Sequence, residues 1–234
     1  MQQKASALGI DVQRVEAIDG RTIPEAEWHD FDIKKFRARC GRHPAAGEYG
    51  CYMSHIKALR TFIDSGAQSA IILEDDAELE GQLLTVAAAL DHAASDQALL
   101  VRLCTHRQDF FEKLQELSTG HQLGQCWHGP TGSASAYWIN RVSAQRLLDF
   151  ALPGSLPYDI LLERAWGHGV RALVIGPSLL KQPRPPTSTI NQSFTLKHQK
   201  FKWYNRWRTY LFRTQEFFLR IAHCAANRQK IRFD

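Results

Sequence analysis

A layered α/β domain carrying a basic, amphipathic helical tail is the fold class the sequence predicts. Three observations predict it. Segments of strand character and of helix character alternate along most of the chain. One of the strands, Ser69 to Leu73, runs straight into three consecutive carboxylates, Glu74, Asp75 and Asp76. The net charge of +5 belongs to the tail: residues 197–234 hold ten Lys/Arg against Glu216 and Asp234, a net of +8 that leaves −3 for residues 1–196. The expected division is a single domain over 1–190, then a linker and basic aromatic helix over 191–234.

At 234 residues, 44% hydrophobic and 23% charged, the chain has enough material for one well-buried core. No apolar stretch approaches the length of a membrane span, and Met1 to Leu8 lacks the apolar core of a signal peptide. The cysteines number five and show no C-x-x-C spacing, which fits a reduced, cytosolic chain. The acidic body argues against nucleic acid as the partner of the basic tail.

In chain order, Val12 to Ile18 has β-like composition and stops at the turn pair Asp19-Gly20. Residues 24–46 read as irregular, with basic side chains (Lys34, Lys35, Arg37, Arg39, Arg42) on a solvated or phosphate-facing loop. Tyr52, Ile56, Leu59 and Ile63 recur at helical spacing within a helix from Gly47 to the stop signal Gly66. Ser54 and His55, adjacent on that helix, cannot face each other as a nucleophile and its base. They read as hydrogen-bonding groups at a helix–sheet junction. Next come a buried strand at Ser69 to Leu73, an Ala/Leu-rich helix at Leu83 to Ala94 and a buried strand at Ala98 to Leu103.

Residues 105–130 mix aromatics, His and Gly, and read as a long irregular substrate loop. A strand ending at Asn140, a helix over Val142 to Phe150, a helix over Ile160 to Trp166 and a strand over Arg171 to Ile175 follow. Pro183 to Ser193 reads as an extended linker. From Lys200 to Ala225, the residues Trp203, Trp207, Leu211, Thr214, Phe218 and Ile221 fall on one helical stripe, with most Lys and Arg off it. That pattern belongs either to a helix lying on an anionic membrane surface or to one packing its aromatic stripe on the domain.

The acidic stretch is where the chemistry concentrates. Three carboxylates at a strand's exit repel one another unless a cation, hydrogen bonds or water offset the charge. Strand alternation would send Glu74 and Asp76 to one side and Asp75 to the other. Paired oxygen ligands of this kind suit Mn²⁺ or Mg²⁺ when the ion also holds a diphosphate. The alternative is an ordinary acidic turn.

The chain resembles glycosyltransferase family 25, the lipopolysaccharide-biosynthesis sugar transferases. The resemblance rests on Val15-Glu16-Ala17-Ile18-Asp19-Gly20-Arg21, on Gly47-Glu48-Tyr49-Gly50-Cys51-Tyr52-Met53-Ser54-His55 and on Ile71-Ile72-Leu73-Glu74-Asp75-Asp76. It extends through Gly132, Ala136-Tyr137 and Pro157-x-Asp159, in the family's order. It implies a GT-A-like, Rossmann-like fold. It also implies inverting transfer of a hexose, typically galactose, from a UDP-sugar to a saccharide of a lipid-linked glycan. Glu74-Asp75-Asp76 stands in the place of the family's acidic metal motif. On that footing Asp76 with Glu74 would hold the metal, Glu74 and Asp75 would meet the donor, and Asp159 would be the catalytic base with Glu163 in reserve. The enzyme would work in the cytoplasm, peripheral on the inner face of the membrane. Family members usually open with a further short strand, whereas this sequence starts inside the helix expected after it. A catalytically inactive relative, kept for binding saccharide or membrane, is the corresponding second expectation.

Overall fold

Six strands and the helices on their two faces organise the chain. The structure is a computed structural model that describes residues 2–79, 81–93, 97–180 and 200–228. The strands are β1 (Ser69–Leu73), β2 (Leu99–Arg102), β3 (Phe111–Glu116), β4 (Gln122–Cys126), β5 (Ala136–Asn140) and β6 (Arg171–Gly176). Their order across the sheet is β1-β5-β2-β6-β4-β3. Only the β2–β6 pair among them is parallel; the rest run antiparallel. The helices are α1 (Gln2–Ala7), α2 (Ile33–Cys40), α3 (Ala46–Asp64), α4 (Leu83–Ala93), α5 (Arg141–Ala151), α6 (Tyr158–Leu162), α7 (Ala165–His168) and α8 (Trp207–Ala226). This is the mixed α/β, Rossmann-like layering expected of the sequence.

Strand alternation splits the core in two. Leu100, Tyr137 and Ile139 face α3, α5 and α6 in one buried cluster; Leu99, Val101 and Trp138 face α4 in the other. Both faces of the central strands are thereby removed from water, and β2 and β5 are buried along their whole length.

Several local expectations change. β1 lies at the edge of the sheet with β5 as its one neighbour, so its five residues are half-buried rather than buried. Val12 to Ile18 forms no strand. It runs extended against α3, where the Ile18 N–H donates to Ser54 Oγ at 2.8 Å. Gly20 and Gly50 are what allow that approach. A Cβ on Gly20 would meet Ala46 O at 2.0 Å, and one on Gly50 would meet Ile18 O at 2.5 Å. The basic loop contains α2, started by Asp32, which accepts from Lys35 N, and stopped by Gly41 in the left-handed region. The expected substrate loop at 105–130 contains the β3–β4 hairpin. The helix expected over Ile160 to Trp166 is two short helices with Glu163 and Arg164 between them. The Pro183 to Ser193 linker lies within 181–199, outside the described residues, as does the proposed domain boundary at 190.

Helix α8 is helical where expected, and of the two orientations its pattern allowed it takes the one with the aromatic stripe outward. Thr209 and Cys224 are its buried residues, while Trp207, Leu211 and Phe218 are more than half exposed, at 57%, 62% and 62%. The helix is held by polar contacts: Thr209 Oγ1 donates to Ala38 O at 2.9 Å, and Glu216 accepts from Arg164 at 2.6 and 3.0 Å. The aromatic stripe does not pack on the domain.

Candidate active site at the exit of β1

β1 ends at Leu73, and the chain turns at once. The Glu74 N–H still donates to Ser135 O at 2.8 Å, extending the ladder by one bond. The Ala77 N–H then bonds back to Glu74 O at 3.2 Å, which makes Asp75-Asp76 the centre of a turn. Alternation therefore does not continue through the acidic residues, and the expectation that Glu74 and Asp76 project together is corrected. Glu74 turns inward, whereas Asp75 and Asp76 are exposed.

Glu74 meets two side chains from one face of α3. Its Oε1 lies 3.2 Å from His55 Nε2 and accepts from Cys51 Sγ at 3.7 Å. Burial pushes the Glu74 carboxyl up, but the His55 hydrogen bond and charge, with Cys51 and His106, outweigh it and leave the group below its ordinary value. His55 is itself fixed on its other side. Nδ1 is 3.3 Å from Tyr137 OH, which continues to Tyr158 OH at 3.1 Å, and the imidazole stacks on the Tyr158 ring at 4.2 Å. Burial raises the Cys51 thiol well above its ordinary value, and the charges of Glu74 and Asp159 raise it further.

Asp75 and Asp76 form no ion pair among the described residues. Burial, then the neighbouring charges of Glu74 and Asp75, push the Asp76 carboxyl up. A carboxylate raised by like charges gains from a cation, and these oxygens are hard ligands of the type Mn²⁺ and Mg²⁺ prefer, so the residues present fit such an ion.

The two remaining predicted residues lie on α6 and just beyond it, and their environments differ. Asp159, in the first turn of α6, is half-buried; burial pushes its carboxyl up, with Arg102 opposing and Glu163 adding to the shift. Glu163 is buried and saturated. Its Oε1 accepts from Arg102 Nη1 at 2.8 Å, Thr131 N at 2.8 Å, Thr131 Oγ1 at 2.8 Å and Gly132 N at 3.0 Å, while Oε2 accepts from Arg220 Nη2 at 2.7 Å. Burial would raise this carboxyl, but Arg102 and Arg220 hold it below its ordinary value. That is the environment of a fixed anion, which ties β2, the Thr131-Gly132 backbone and α8 together. Arg102 was not singled out from the sequence, and nothing local marks it: it is a lone Arg inside an apolar strand. Cys51 was passed over for want of a C-x-x-C pair. Its spacing of four from His55 on a helix was the signal that it shares a face with that residue.

Residues 1–162 match the family described as glycosyltransferase family 25 (LPS biosynthesis protein). Among curated proteins the chain is similar to procollagen galactosyltransferase 2 of Mus musculus, at 28% identity over 99 residues, 39% of this chain and 16% of that protein. It is similar to a glycosyltransferase 25 family member of Anopheles gambiae at 29% over 77 residues, 31% of this chain and 13% of that protein. It is similar to procollagen galactosyltransferase 1 of Danio rerio at 30% over 70 residues, 28% of this chain and 12% of that protein. The chain thus spans less than a fifth of the length of these relatives.

Proposed function

Because the chain belongs to glycosyltransferase family 25, we propose that it is a UDP-sugar-dependent hexosyltransferase. The hexose is galactose, the acceptor is a saccharide of a lipid-linked glycan such as lipooligosaccharide, and the anomeric centre inverts. The family's description supports the glycan class, and the names of two relatives support galactose. The observation that carries the reading is the acidic turn. Asp75 and Asp76 stand exposed and unpaired among the described residues at the exit of β1, with Glu74 held rigidly behind them.

In this reading Asp76, with Glu74, holds Mn²⁺ or Mg²⁺, and Glu74 and Asp75 border the donor. An ion held by these residues would supply positive charge against the charge that develops on the departing UDP. The chain's own residues do the rest. His55 and Cys51 hold Glu74 Oε1 in place, which leaves Oε2 free to turn outward. Asp159 accepts the proton of the attacking acceptor hydroxyl, and burial strengthens it as a base by raising its pKa. Glu163, its oxygens already taken by five donors and its pKa held down, keeps the Thr131-Gly132 backbone in position and is no longer a candidate base.

The same reading has the protein work in the cytoplasm, peripheral on the anionic inner face of the membrane. Trp203, Trp207, Leu211 and Phe218 point to solvent, and Lys202, Arg208 and Arg213 beside them are exposed and without ion pairs among the described residues. Amphipathic aromatic rings flanked by unpaired cations suit the headgroup region of anionic lipid. No helix of the described residues is long and apolar enough to cross a membrane.

The test is Asp76→Ala. Transfer from UDP-galactose and Mn²⁺-dependent UDP binding by titration calorimetry should both vanish, with the circular dichroism spectrum unchanged. Turnover at the wild-type rate in that variant would refute the assignment.

A further inference from the structure

We propose that Cys51, His55 and Glu74 form a binding site for a soft or borderline divalent ion, Zn²⁺ by its chemistry, distinct from the oxygen ligands of Asp76. The three ligand atoms, Sγ, Nε2 and Oε1, all lie within 4.8 Å of one another. Zinc bonds of about 2.0–2.3 Å at tetrahedral angles set ligand atoms about 3.3–3.6 Å apart. The observed spacings, 3.2 Å from Nε2 to Oε1 and 3.7 Å from Sγ to Oε1, fall close to those edges. The third edge, Sγ to Nε2, is within 4.8 Å, so rotation of the Cys51 side chain toward His55 closes the set around the ion, which replaces the thiol proton and the hydrogen bonds to Glu74.

The supporting structure also suits a metal. Cys51 and His55 are one helical turn apart on α3, so a rigid element sets their separation. When the ion takes the Nε2 lone pair, the imidazole proton sits on Nδ1, 3.3 Å from Tyr137 OH, which can accept it, and the ring stays stacked on Tyr158. A thiolate, an imidazole and a carboxylate select Zn²⁺ over Mg²⁺ or Mn²⁺, which take oxygen donors. Three protein ligands leave a fourth tetrahedral position open, and the half-exposed side of Glu74 is where solvent or a substrate oxygen would enter. Oε2 of Glu74 makes no hydrogen bond among the described residues, so occupation of this site does not consume the oxygen that faces the donor.

The experiment is a titration of nucleotide-free protein with Zn²⁺ alone. The wild type should take up about one ion per chain. Cys51→Ala should weaken that binding by at least about a hundredfold, and Asp76→Ala should leave it unchanged. Co²⁺ loaded in place of Zn²⁺ should give a thiolate charge-transfer band in the wild type. Absence of that band or of zinc uptake, or undiminished uptake by Cys51→Ala, would overturn the proposal, and the cobalt spectrum decides alone if Cys51→Ala fails to fold. Loss of uptake in Asp76→Ala with retention in Cys51→Ala would move the ion to the acidic turn. Because no nucleotide is present, failure here leaves the donor reading standing, and loss of UDP binding in Asp76→Ala leaves this site standing.

Discussion

Helices α3 and α8 are nearly the same length, 19 and 20 residues, and both are amphipathic, yet they face opposite ways. α3 buries Tyr52, Ile56, Leu59 and Phe62 against the sheet and delivers Cys51 and His55 to the end of β1. α8 presents Thr209, Glu216 and Arg220 to the body and leaves its Trp and Phe stripe in solvent. The difference teaches that a hydrophobic stripe reveals a face but not what lies against it. On α3 the stripe meets an apolar sheet and burial decides. On α8 the body offers the half-buried Arg164, which Glu216 pairs, and the buried Glu163, whose second oxygen Arg220 pairs; leaving such groups short of a partner in a low-dielectric site costs more than exposing a ring.

The comparison breaks first at its two anchors. Glu163→Gln should destabilise the protein by about 3–5 kcal/mol, because Arg102 is left as a buried charge and α8 loses its tie through Arg220. Ile56→Ala, its apolar counterpart on α3, should cost about 2–5 kcal/mol. Urea unfolding of both measures this; a loss below about 1 kcal/mol for Glu163→Gln would mean that α8 is not held by charge.

The α8 side should also carry a pH dependence. His168, in α7 against α8, is buried, and desolvation holds it down from 6.5 to about 4, with Arg164 and His223 adding to the shift. The folded pKa lies below the unfolded one, so the unfolded chain binds the extra proton between them. This contribution is complete above pH 6.5 and falls away as the pH drops toward 4, by about 3 kcal/mol in all. Urea midpoints that stay flat from pH 7 to pH 5 would contradict it.

The smallest expected change in stability is at the exposed stripe. Trp207→Ala and Leu211→Ala should each alter stability by no more than about 0.5 kcal/mol. Together they should abolish sedimentation with vesicles containing anionic phosphatidylglycerol. A large loss of stability with vesicle binding retained would reverse the orientation argued for α8.

Much of the site was legible before the fold. Ile71 to Asp76 announced a strand meeting carboxylates, and the apolar spacing of Tyr52, Ile56 and Leu59 announced α3, because both signals are local. The β3–β4 hairpin was not legible: Phe111–Glu116 alternates only weakly between apolar and polar residues and has no short turn pair. Nor was α2, although Asp32 and Gly41 mark its ends, because its mean character is basic and one side chain, Phe36, carries its burial.

The amino-acid order by itself determined α3, α4, α5, α8 and the strands β1, β2, β5 and β6, where charge collects, and that the chain belongs with sugar transferases, since propensity, periodicity and motif order are properties of neighbours along the chain. Only the tertiary structure decided that Glu74 leaves its fellow acids for His55 and Cys51, that Glu163 is a saturated anchor, and that α8 shows its rings to solvent. Those outcomes depend on which distant groups arrive in the same low-dielectric space. There a single unpaired charge outweighs several local preferences.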